Sequence, residues 1–178
     1  MQEFRDFSFV HKYFIGEKQE SLLFLIIGIA AIALSVVFFF FIKSNPSLYK
    51  GMAIPLLAIG IIQVIVGYTV YARSDKQRMD ISYKIGMETL QVAKNQELPR
   101  MEKVMRNFTI YRYVEIALAL IGIGLFVYFR NDRDRMLLKG IGLTLAIQAL
   151  LMLGADYFAE QRGKAYVREL EAIIRPAN

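Results

Sequence analysis

The sequence predicts an all-α polytopic membrane protein: four transmembrane helices in two antiparallel hairpins, forming a single bundle, with helical extensions on the cytosolic side. Three observations lead there. The apolar residues gather in four long blocks, the connections between blocks run short, long, short, and Lys and Arg crowd one side of the resulting topology.

Of the 178 residues, 56% are hydrophobic, above the roughly 45–50% of a soluble domain. The excess sits in the blocks, which points to membrane spans and not to one large core. Stretches 21–42 and 51–72 each run 22 residues without a charge. At about 1.5 Å per residue each reaches roughly 30 Å, the thickness of a bilayer's hydrocarbon core. The third span, 113–129, carries Glu115 near its start, and the fourth, 136–159, carries Lys139 near one end and Asp156 near the other. Lys139 can extend outward along its aliphatic stem.

Residues 43–50 (KSNPSLYK) join the first pair of spans, with Asn45 and Pro46 as turn formers, and residues 130–135 (RNDRDR) join the second. Links this short force their helices antiparallel. The N-terminal segment 1–20, the middle segment 73–112 and the C-terminal segment 160–178 then share one side. They hold 16 Lys or Arg, against 6 for the two short loops with Lys139. That split makes the first side, with both termini, cytosolic. The same placement explains the net charge of +6: the basic residues mark topology, and nucleic-acid binding is not expected.

The extensions carry helical patterns. Met101, Val104, Met105, Phe108 and Tyr111 recur at helical spacing behind Pro99, which suits a first helical turn. Met79, Tyr83 and Met87 continue the second span, and Gly86 is a place for it to end. Phe158, Ala165, Tyr166, Leu170 and Ile173 or Ile174 form a stripe beyond the fourth span, with Pro176 permitting an end. These stripes are expected to pack on one another. Phe4, Phe7, Val10 and Phe14 make a further amphipathic stretch, which lies along the membrane surface or covers the cytosolic bundle. The segment lacks a short basic start and a small-residue cleavage site, so it reads as retained. His11, the only histidine, reads as structural.

Two fragments repeat. Lys50-Gly51 opens the second span as Lys139-Gly140 opens the fourth, and Gly67-x3-Tyr71-Ala72 resembles Gly154-x3-Phe158-Ala159. Their offsets differ by two residues, which rotates a helix face by about 200°. A duplication would relate the hairpins by an axis along the membrane normal.

Polar groups inside spans are costly in hydrocarbon and are the candidates for function. Gln63 and Gln148 read either as interhelical hydrogen bonds or as the lining of a path. Glu115, Asp156, Arg73 and Arg112 lie at one depth. Arg112 and Glu115, three apart, are expected to pair along their helix, leaving Arg73 for Asp156. This belt either locks the bundle or forms a proton-coupled or anion site. Gly142-x3-Ala146 lets helices approach closely, within the bundle or between subunits. On the middle extension, Arg100, Lys103, Arg106 and Asn107 are expected to face outward as a partner surface.

Catalytic signatures are missing: no glycine-rich phosphate loop, no G-x-S-x-G, no H-E-x-x-H and no cysteine. No enzyme activity, metal or other cofactor is expected. The segments VGYTVYARSDKQR (66–78) and LGADYFAEQR (153–162) resemble a group of small four-helix membrane proteins of Bacteroidota. The resemblance implies a bacterial inner-membrane location and brings no catalytic residues. By analogy of size and topology it also points to immunity partners of membrane-active toxins. The expected function is therefore a non-enzymatic interaction protein of the lipid bilayer, binding another membrane protein or a second copy of itself. The alternatives are a small transporter or channel lined by Gln63, Gln148, Glu115 and Asp156, and a membrane enzyme.

Overall fold

A computed structural model describes residues 7–175, so Phe4 and Pro176 lie outside the described residues. Within them the chain is almost entirely helical, with no strand. Helix α1 spans Ser8–Val36 and continues through a π-helical stretch, Val37–Phe41. Helix α2 spans Pro46–Met87, the short α3 Thr89–Val92, α4 Leu98–Tyr128 and α5 Met136–Ile174; a second π-helical stretch, Ala93–Glu97, links α3 to α4.

Local signals set the breaks. Asn45 adopts the left-handed conformation (φ 47°), and Pro46 then opens α2, where its missing N–H costs nothing. Pro99 sits in the first turn of α4, which runs on without interruption through the third apolar block. Gly86 lies one residue before the end of α2. Four helical stretches are long and apolar enough to cross a membrane.

The closest packing joins α1 to α2, α4 to α5, and α2 to α5. Lys18 meets Asp75, Gly28 lies against Gly60, and the Ser35 hydroxyl donates to the Ala53 carbonyl at 2.8 Å. On the other pair, Gly122 and Gly142 bring two backbones together: a Cβ on Gly142 would stand 2.6 Å from the Phe126 nitrogen and 2.7 Å from the Gly122 oxygen. The small-residue pattern at Gly142 and Ala146 therefore serves packing within the chain.

Between α2 and α5 the approach is tighter and reciprocal. A side chain on Gly51 would overlap the Leu137 carbonyl, and one on Gly140 would overlap the Leu48 carbonyl. The two contacts exchange under a shift of 89 positions (48 to 137, 51 to 140), the mutual pattern that a two-fold relation produces. The second repeated fragment does not share this equivalence. Gly67 is pressed against the Ser21 oxygen and Leu25, while Gly154 has open space where a Cβ would go.

Large side chains are buried mainly at one end of the molecule, where Val10, Tyr13, Phe14, Ile81, Ile85, Val92, Met101, Tyr166 and Leu170 form one core. The N-terminal stretch therefore packs on the other extensions: α1 runs unbroken from Ser8 into its apolar block, with Val10, Tyr13 and Phe14 inside the core. His11 is exposed.

The stripes are only partly those expected. On α2 the buried face is Ile81 and Ile85, while Met79, Tyr83 and Met87 are 68–70% exposed. On α4 Met101 is fully buried, Val104, Met105 and Phe108 are half-buried, and Tyr111 is exposed. On α5 Tyr166 and Leu170 go inward, whereas Phe158 and Ala165 do not. Periodicity identifies residues that share a face; the neighbouring helix decides which face is covered.

Candidate functional site

Where the apolar section meets the polar end, a belt of charges surrounds the helices. Lys18 of α1 pairs with Asp75 of α2, which also holds Arg78 at 3.3 Å. The hydrogen bond from Lys18 holds the Asp75 carboxyl below its ordinary pKa, and the same bond raises that of Lys18. Glu20 pairs with Arg162, joining α1 to α5. Arg112 pairs with Glu160, whose other oxygen receives Lys164 at 2.8 Å, joining α4 to α5. Of the residues expected in the belt, Arg112 alone takes part in these ion pairs, and its pairing differs from the expected one.

Arg112 is held by Glu160, across helices, and not by Glu115 along its own helix. Arg73 is exposed and has no ion-pair partner among the described residues; its neighbour Ser74 turns inward, 3.2 Å from Glu17. Glu115 and Asp156 face each other instead. Glu115 is 2% exposed, and neither of its carboxyl oxygens has a hydrogen-bond donor. Two carboxylates cannot bond to each other, since both only accept. A bond between this pair requires one proton held between them.

Gln63 and Gln148 are also buried, and the Oε1 of each lacks a partner. A cavity of about 250 Å³ lies between α4 and α5. Phe108, Ile116, Leu153 and Tyr157 form its apolar wall, and Asp156 lies at its side, with Arg112 and Glu160 beside it.

The expected partner surface divides. Lys103 and Arg106 are exposed and unpaired among the described residues, and Asn107 is half-buried. Arg100 is half-buried and turns toward the core. Its Nε and Nη2 donate to the two oxygens of Glu97 at 2.9 and 2.6 Å, and its guanidinium lies 5.5 Å from the Phe14 ring centre. Glu97 is 1% exposed and also accepts the Tyr166 hydroxyl at 2.8 Å. Burial lowers the Arg100 pKa, but the bonds to Glu97 outweigh it and hold the guanidinium charged. Tyr13 stacks on Tyr166 with ring centres 4.3 Å apart. Burial, then the nearby Glu17, push the Tyr13 hydroxyl up to about 12; burial and Glu97 raise Tyr166 as well.

Sequence reasoning missed this Glu97–Arg100–Tyr166 network. The signal was a Glu-x2-Arg spacing that flanks Pro99. It was overlooked because charged residues beside a helix start usually face water. Neither a protein-family model, nor a curated protein, nor a solved structure matches the chain.

Proposed function

We propose that this chain is a non-enzymatic interaction protein of the bacterial inner membrane, with both termini in the cytosol and its polar end as the recognition module. The contacts that step up α1 as they step down α2, from Lys18–Asp75 to Ser35–Ala53, support an antiparallel hairpin. The exposed Leu23, Ile26, Ile65, Leu120 and Leu150 support lipid around the apolar section, since water would not tolerate so large an apolar surface.

One observation carries the functional reading. The polar end is fixed by its own core, yet Lys103 and Arg106 project from it without ion-pair partners among the described residues. A basic surface suits an acidic segment of another membrane protein; a membrane-active toxin is the partner class to which the analogy of size and topology points. Charge reversal at Lys103 and Arg106 to Glu should leave expression and monodispersity intact and weaken capture of that partner. Asp at Val104, which packs against the core, or at the half-buried Phe108 should damage the fold by burying an unpaired charge. Binding that survives the reversals but fails on changing Gln63 or Gln148 would place recognition inside the bilayer.

The orientation has its own test. A cytosol-specific reporter should work when fused after Asn178 or near Lys94, and a periplasmic reporter near Pro46 or Asp132. Reversed activities would overturn the topology. A small transporter is the second reading, favoured by the donor-free oxygens of Gln63, Gln148 and Glu115.

A further inference from the structure

We propose that Glu115 and Asp156, with the cavity between α4 and α5, form a binding site for a monovalent organic ammonium ion that enters in exchange for a proton. Glu115 has no hydrogen-bond donor for either oxygen although it is 2% exposed, and it faces Asp156, which lines the cavity. A buried acid pair whose one donor is the proton between them keeps acceptor lone pairs that a cation can take.

The surroundings specify which cation. Phe108, Ile116, Leu153 and Tyr157 offer an apolar and aromatic wall, suited to a hydrocarbon body and to a cation near ring faces. The charges acting on the pair are Arg112, from the helix of Glu115, and Glu20, from α1 across from Asp156; none comes from α2. Arg112 is held by Glu160, and Glu20 by Arg162. Neither cation replaces the missing donor at Glu115, and the paired acids repel an anionic ligand.

The exchange balances. With one proton between the carboxyls, the pair carries one negative charge. An ammonium R–NH₃⁺ enters with its N–H groups toward the carboxylates, the shared proton leaves to water, and no covalent bond to carbon changes. Affinity should therefore rise about tenfold per pH unit wherever one proton is released per ion bound.

The experiment uses the full chain in lipid nanodiscs, titrated calorimetrically with cyclohexylammonium, cyclohexanol and cyclohexanecarboxylate. Repeating the titrations in buffers of different ionisation enthalpy counts the protons released. The proposal expects binding of cyclohexylammonium alone, release of one proton, and tighter binding at higher pH. Asp156→Asn should weaken binding on the order of 100-fold, and Glu115→Gln should abolish proton release. Leu153→Trp, which fills the cavity and leaves both acids in the chain, should also block the ion and covers the case in which Asp156→Asn does not fold. Equal binding of cyclohexanol would reduce the site to an apolar crevice. Absence of binding, undiminished binding to folded Asp156→Asn, or equal competition by sodium would each overturn it.

Discussion

The polar end and the apolar section of this molecule are built from the same four long helices, yet they hold together by opposite means. At the polar end, large side chains fill the space: Phe14, Ile85, Met101 and Leu170 are almost wholly buried, and the buried acid Glu97 has every bond it needs. In the apolar section the contacts are backbone on backbone, at Gly28–Gly60, Gly122–Gly142 and Gly51–Leu137. There the buried polar groups Gln63, Gln148 and Glu115 have oxygens without donors. The difference follows from the solvent each region is proposed to face. Water drives large apolar side chains together. Lipid does not, so helices there gain from close fit and place their large residues outward.

The largest expected effect tests the polar end. Glu97→Ala strands the half-buried Arg100 beside Phe14 and should lower stability by about 3–5 kcal/mol, read as thermal unfolding in detergent. Replacing both members, Glu97→Leu with Arg100→Met, should recover most of that loss, because no uncompensated charge remains. If the single change is harmless, the network is not what fixes this core.

Alkaline titration comes next. Tyr13 is neutral in the folded chain up to about pH 12, whereas an unfolded tyrosine ionises near 10. Its folded pKa is raised, so its contribution is intact below pH 10 and is lost as pH climbs toward 12. A two-unit shift corresponds to about 2–3 kcal/mol. Tyr13→Phe should flatten this part of the pH–stability curve, and an unchanged slope would assign it to other groups.

A glycine pair sharpens the apolar side of the comparison. Gly142→Ala drives a methyl group into the Phe126 and Gly122 backbones and should cost about 1–3 kcal/mol. Gly154→Ala, on the same helix, meets open space. It should be neutral or stabilise by up to about 1 kcal/mol through helix propensity. Opposite signs in the two melting temperatures would support backbone packing as the force holding α4 to α5; equal signs would refute it.

The smallest effect belongs to the half-buried Lys18–Asp75 pair. Asp75 is held low, so its contribution is present above its ordinary pKa and fades as pH falls through the folded value. Lys18 is held high, so its contribution is present below its ordinary pKa and fades as pH rises through the folded value. Asp75→Asn should remove this broad plateau with little change in unfolding at neutral pH, because a pair partly open to solvent is screened.

Much of the architecture was legible before any coordinates. The lengths of the apolar runs set four membrane-length helices, the Asn45-Pro46 turn separated the first two, and Pro99 marked where α4 begins. These features are local: a run of apolar residues or a fixed proline φ acts through near neighbours in the chain. The site was less legible. The belt residues were chosen by depth alone, which does not fix partners, since Arg112 has Glu115 along its own helix and Glu160 on α5. The tertiary structure chose Glu160 and so left Glu115 to face Asp156. Likewise α2 carries apolar residues on two faces beyond its apolar block, Met79–Tyr83–Met87 and Ile81–Ile85. Sequence spacing determined that each set lines up; only the positions of α1, α4 and α5 decided that the isoleucines would be buried, because a helix repeats its faces without reference to what packs against them.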